Sequence, residues 1–211
     1  MRLTKFGHSC LLVETGEARL LLDPGSFSSG FERLTGLDGV LITHGHADHL
    51  DLDRIPPLLR QNPGAVLVAD AGSATELAGA GLQARTVRDG DELDLAGVPI
   101  RVFGTDHASI HPEVPVPPNV GYLVGERFFY PGDAFTQPPA AVEILGLPAG
   151  APWMKVSEAI DYLRAVKPRL AVPMHEAVLA KPELHYRLFR QFGEPQGTEF
   201  RDLAPGQPVE T

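Results

Sequence analysis

VLITHGHADHLD, residues 40–51, places an apolar strand pattern, Val40 to Thr43, directly in front of four potential metal ligands: His44, His46, Asp48 and His49. Imidazole nitrogens and carboxylate oxygens are donors that zinc and related divalent cations accept, and a strand end holds such donors rigidly while leaving solvent access. A polar surface loop would be the plainer account. The chain has eight histidines, however, and three of them fall inside six residues behind an apolar strand, which that account leaves unexplained. His44 and His46 stand two apart and can converge on one ion, whereas Asp48 and His49 lie past the turn and can face a second. Two cations follow from that spacing, and each needs ligands from elsewhere in the chain.

Three residues further along each sit just after an extended segment: His107 in RVFGTDH, Asp133 in FFYPGD and His175 in LAVPMH. Taken singly they read as a polar loop residue, a turn residue after Gly132 and a hydrogen-bonded core group. Together with the first cluster they complete two three-ligand sites and one bridge.

HGHADH at 44–49, followed in order by His107, Asp133 and His175, resembles the metallo-beta-lactamase superfamily, and the match runs over nearly the whole chain. The resemblance implies an α/β (α+β) fold, a four-layer αββα sandwich of two mixed β-sheets with helices outside and the site along one edge. It also implies a binuclear hydrolase in which His44, His46 and His107 hold one cation, Asp48, His49 and His175 the other, and Asp133 stands between them. Asp23 in LLDPG resembles the superfamily's first acidic motif, which supports the loop rather than binding metal. FGHSCLLVE (6–14) and VPMHEA (172–177) are similar to small stand-alone bacterial hydrolases related to the L-ascorbate-6-phosphate lactonase group and to the phospholipase D that cleaves N-acylethanolamine phospholipids. The same scaffold hosts lactonases, thioesterases, phosphodiesterases, nucleases and oxidoreductases, so the substrate does not follow from it.

Around the motif, short apolar runs bounded by turn signals predict strands at 10–13, 18–22, 39–43 and 65–69, with helices at 52–61, irregular at Pro56 and Pro57, and at 73–78, capped by Ser73. A hairpin is predicted from 84–87 with 92–95, then extended segments at 99–103, 121–124 and 127–130. The last third alternates: strand 142–145, helix 157–166 capped by Ser157, strand 170–172, and a helix from Pro182 to Gly193 with Leu184, Leu188 and Phe192 on one face. The proline-rich segment 108–119 cannot join a sheet ladder and reads as a loop bordering the site. No linker divides residues 1–211, which are expected to form one domain.

The chain carries a formal net charge of −9, which argues against a nucleic-acid binder, because phosphate binding needs a basic surface. No apolar run approaches the roughly 20 residues that cross a bilayer, and MRLTKFGHSC lacks the apolar centre of a signal peptide. With one cysteine, Cys10, no internal disulfide can form, and a cytoplasmic protein is expected. The oligomeric state does not follow from sequence.

Two neighbouring divalent cations, zinc by first choice with manganese or iron accepted by the same donors, lower the pKa of a shared water towards about 7. The expected reaction is hydrolysis of a small, anionic ester, lactone or phosphodiester. Asp48 directs the water, and His8 is either a second-layer partner and proton donor or a structural histidine. Cys10 reads as a buried small hydrophobe. His111 and Asn119 in the proline-rich loop, and Trp153 and Lys155 in LPAGAPWMK, are candidate substrate contacts; His185 reads as an exposed helical residue. Alternatives are a nuclease or phosphodiesterase on nucleic acid, a di-iron redox protein, and a non-catalytic metal-binding module.

Overall fold

Neighbouring residues within single strands point into two different cores, and this alternation builds the layers. Leu20 and Leu22 join one apolar cluster while Leu21 joins another; Leu41 likewise faces one way, Val40 and Ile42 the other. Strands buried on both faces require a layer on each side, which accounts for their nearly continuous apolar sequences.

The computed structural model describes all 211 residues, Met1–Thr211. Its first sheet contains β1 (Arg2–Lys5), β2 (Leu11–Thr15), β3 (Ala18–Leu22), β4 (Gly39–Ile42), β5 (Val66–Ala69) and β6 (Arg85–Thr86) side by side. The second runs in chain order from β7 (Glu92–Leu95) through β8 (Val98–Phe103), β9 (Gly121–Val124), β10 (Phe128–Tyr130), β11 (Ile144–Pro148) and β12 (Leu170–Met174) to β13 (Glu199–Phe200). β14 (Pro208–Glu210) returns to pair antiparallel with β1 in the first sheet. Both sheets mix parallel and antiparallel pairs.

The central core lies between the sheets, where Leu11, Leu20 and Leu41 meet Tyr122, Phe128 and Ile144. Helices α1 (Ile55–Gln61) and α2 (Ala71–Gly79) cover the outer face of the first sheet, burying Ile55, Leu58 and Leu77. Helices α3 (Val156–Val166) and α4 (Glu183–Gly193) cover the second, burying Leu163, Tyr186 and Phe189. The chain thus adopts the expected four-layer αββα sandwich. No helix is long and apolar enough to cross a membrane.

Local expectations needed correction in several places. The run 84–87 and 92–95 is not a hairpin: β6 pairs parallel with β5 while β7 pairs with β8 in the opposite sheet, so the turn between them carries the chain from one layer to the other. Asp70, not Ser73, caps α2, accepting the Gly72 amide at 2.7 Å. Lys155, not Ser157, is the N-cap of α3, with Glu158 accepting its backbone N–H at 2.6 Å. Helix α1 begins at Ile55, so Pro56 and Pro57 occupy its first turn, where an N–H is not needed. On α4 the buried face is Tyr186, Phe189 and Gly193, whereas Leu184 and Phe192 of the expected apolar stripe are exposed.

Candidate metal centre

The loops that follow β3, β4, β8, β10 and β12, with the β1–β2 turn, meet along one edge of the sandwich. Asp23, the residue after β3, is fully buried with φ 43° and organises the first of them. Its Oδ1 accepts the Thr43 amide at 2.8 Å, and its Oδ2 accepts the Thr43 hydroxyl at 2.7 Å and faces His49 Nδ1 at 2.6 Å. A Cβ on Gly25 would lie 1.9 Å from the Asp48 carbonyl, so only glycine lets these two loops close together.

The structure brings His44, His46, Asp48, His49, His107, Asp133 and His175 to this one place. His44 Nε2 lies 3.1 Å from His46 Nδ1, and ligand atoms of His44, His46 and His107 sit within 4.8 Å of one another. Asp48, His49, His175 and His8 form a second such group, and His44, His49 and Asp133 a third. Asp133 joins them: its Oδ1 is 3.2 Å from His49 Nε2, and its Oδ2 is 2.9 Å from His175 Nε2 and 3.4 Å from His107 Nε2. Asp48 Oδ2 lies 3.3 Å from His175 Nε2.

The hydrogen bonds behind the rings orient the imidazoles. His49 Nδ1 donates to Asp23, His107 Nδ1 to the Ala108 carbonyl at 2.6 Å and His175 Nδ1 to the Gly150 carbonyl at 2.8 Å. Because the Thr43 hydroxyl donates to Asp23, its oxygen can accept from His44 Nδ1 at 3.0 Å. Each of these four rings thereby commits Nδ1 to an outer partner and turns Nε2 inward, the orientation of metal-ligating histidines, whose other nitrogen is hydrogen-bonded and whose inward nitrogen gives up any proton when a cation binds. Two buried atoms at the centre, His107 Nε2 and Asp133 Oδ1, have no hydrogen-bond partner. Orphaned inward-facing lone pairs beside buried carboxylates suit divalent cations, and spacings near 3.3 Å match roughly those between ligands of one tetrahedral zinc ion.

His8 differs. Its Nδ1 accepts the Ala177 amide at 3.2 Å, so the proton is on Nε2, which donates to Asp48 Oδ2 at 2.9 Å. It orients a carboxylate rather than offering a lone pair. Behind it, Glu176 Oε1 accepts the His8 amide, and Glu176 pairs with the buried ammonium of Lys5 at 2.6 Å.

The electrostatics follow from this crowding. Burial, followed by repulsion from His49, holds His44 well below the usual imidazole range, and burial with His107 lowers His46. At His175 burial opposes protonation, but hydrogen bonds to Asp133 and Asp48 outweigh it and push the pKa up to about 9. Burial opposes ionisation of Asp133 as well, yet His49, His107 and His175 hold it well below the usual carboxylate value.

Among the candidate substrate contacts, Trp153 lines the cleft above the ligands and also donates its indole N–H to Asp133 Oδ2 at 2.8 Å. Asn119 is fully buried and structural, donating to the Pro131 carbonyl and accepting the Asp133 amide, so it is not placed to meet substrate. His111 and Lys155 are exposed and do not line the cleft. His185 is not simply exposed: its Nδ1 faces the Ala149 carbonyl at 2.7 Å. Cys10 is buried, and burial raises its pKa well above that of a free thiol, leaving it inert. The segment 108–119 does border the site, through Ile110, while the sequence reading missed Thr43, whose hydroxyl role depends on Asp23 twenty residues away, and the cleft residues Phe27 and Val178.

A two-sheet sandwich with a His/Asp cluster at the loop edge defines a class of metallo-enzyme scaffold. Residues 2–175 match the family described as "Beta-lactamase superfamily domain", and the chain belongs to that family. It is 51% identical over 208 residues to "Protein Rv0786c" of Mycobacterium tuberculosis, covering 96% of each chain. A "UPF0173 metal-dependent hydrolase", MJ1163 of Methanocaldococcus jannaschii, is 24% identical over 224 residues, covering 99% of each. In structure it is similar to Igni18, described as a novel metallo hydrolase from Ignicoccus hospitalis, with a TM-score of 0.74, 24% identity and 99% and 97% coverage.

Proposed function

We propose that this protein is a metal-dependent hydrolase that acts, as one domain over residues 1–211, on a small ester, lactone or phosphodiester. The observation that carries the reading is the common orientation of four rings: His44, His49, His107 and His175 each anchor Nδ1 outward and present Nε2 to the centre. His44, His46 and His107 would hold one divalent cation and Asp48, His49 and His175 a second, with Asp133 between, zinc being the first choice. Cations bound there supply Lewis acidity and a lowered pKa for water. The chain's own residues do the rest. Asp48, held by the His8 N–H, would accept a hydrogen bond from an attacking water and direct it, while Trp153 steadies Asp133.

A cleft of about 230 Å³ opens over these residues, which supports a small substrate rather than a nucleic acid, as does the net charge of −9. No Lys or Arg lines it, so the negative charge expected on the substrate would have to be met by the cations themselves. A cytoplasmic setting belongs to the proposal and rests on composition alone.

The test is a hydrolysis screen over lactones, thioesters, phosphomonoesters and phosphodiesters with metal-quantified protein, beside His46→Ala and Asp133→Ala. Turnover by the parent and loss in both variants is the expected result. Stoichiometric metal with no turnover of any class would favour a non-catalytic binding module.

A further inference from the structure

Beyond the ligand atoms, the cleft is walled by Phe27, Ile110, Pro152, Trp153 and Val178. Phe27, Ile110 and Val178 are 55%, 46% and 43% exposed, although they stand beside a centre dense in charge. The two aromatic walls are preformed. Phe27 packs edge-on against His8 with centroids 5.2 Å apart, and Trp153 is held by Asp133 and by Phe135 at 5.1 Å. Neither Lys155 nor His111 reaches this lining.

We propose that Phe27, Ile110, Trp153 and Val178 form a specificity wall that selects substrates whose flank beside the scissile bond is uncharged and apolar, the chemistry of a short aliphatic or aromatic ester or lactone. The proposal rests on the hydrolase reading for the reaction but not for the binding preference. A charge carried at the far end of the flank, on the wall and away from the ligand cluster, would leave water with no Lys or Arg to meet it, whereas each methylene laid on the wall is removed from water at a gain. The cleft is smaller than the roughly 300–1,000 Å³ typical of sites for drug-sized ligands, so the flank it encloses is short.

Two measurements on the metal-loaded full chain test this. In the first, p-nitrophenyl butyrate is compared with mono-p-nitrophenyl succinate, which carries a carboxylate at the far end of a similar acyl chain. A kcat/KM ratio above about tenfold for the neutral ester is expected, and Val178→Lys should lower that ratio about threefold or more. In the second, the emission of Trp153, the only tryptophan in the chain, follows binding of 2-butanone, 2-pentanone and 2-hexanone without turnover. Affinity should rise about threefold to fourfold per methylene. Ketone affinity that climbs with length while neither these esters nor any class in the hydrolysis screen is turned over would sink the hydrolase reading and leave the wall standing. Ester turnover that ignores or prefers the carboxylate, or ketone binding flat with length, would overturn the wall.

Discussion

His8 Nε2 lies 2.9 Å from Asp48 Oδ2, and because the Ala177 amide occupies Nδ1, the proton in this contact belongs to the histidine. His8 therefore acts through Asp48 as a positioning residue. Replacing it with Ala should lower kcat/KM by about 10–100-fold, the range for losing a partner of a metal ligand. Gln, whose side-chain amide can still donate, should recover part of the loss. A structural role alone would lower the thermal midpoint without a difference between the variants in the pH profile of kcat/KM, and that profile is the deciding measurement.

Trp153→Phe keeps an aromatic ring on the cleft and removes the N–H that Asp133 Oδ2 accepts at 2.8 Å. About a tenfold weaker hold on metal is expected, read by competition with a chelator of known affinity. Unchanged metal affinity would assign the indole to substrate contact alone.

Gly25→Ala would put a methyl group 1.9 Å from the Asp48 carbonyl, where backbone rather than a flexible side chain must yield. Overpacking of this kind costs about 1–3 kcal/mol, which a urea unfolding midpoint would show. Activity should fall further than stability, because the atoms displaced belong to the loop that carries Asp48 and His49.

Glu143 accepts hydrogen bonds from Arg127 at 2.6 Å and Arg169 at 2.8 Å, and the Arg127 contact, then Arg169, pulls its pKa down to about 2 from the ordinary 4.5. A carboxylate depressed in the folded state stabilises above its unfolded pKa and loses that contribution as pH falls through the folded one, here between about 4.5 and 2. The group is partly exposed, so solvent screening limits the effect to below about 1 kcal/mol. Glu143→Gln should therefore lower the urea midpoint at pH 6 and lower it less at pH 3.5. An equal difference at both values would contradict the assignment.

Several features were legible in the sequence because they are local. The strand before His44, the spacing of HGHADH and the apolar alternation of 18–22 and 39–42 depend only on near neighbours in the chain. Errors fell where two readings of the same stretch competed, either between near neighbours or between a local and a distant partner. Asp70 outcompeted Ser73 as a cap, and residues 84–95 crossed between sheets where a turn back on one sheet had been expected. Asn119, a polar residue in a proline-rich loop, looked available to substrate, but its amide is spent on Pro131 and Asp133 across the sheet end.

The amino-acid order alone determined which donors this protein owns, and that an apolar strand delivers the first of them, since ligand type and strand period are written residue by residue. Only the folded chain decided which nitrogen of each imidazole faces the centre, that His8 keeps its Nε2 proton for Asp48 while its neighbours turn Nε2 to the ligand cluster, and that the cleft wall is apolar. Those properties belong to contacts between segments up to 169 positions apart, such as Ala177 with His8, and a hydrogen bond that chooses a tautomer exists only once both partners have been brought together.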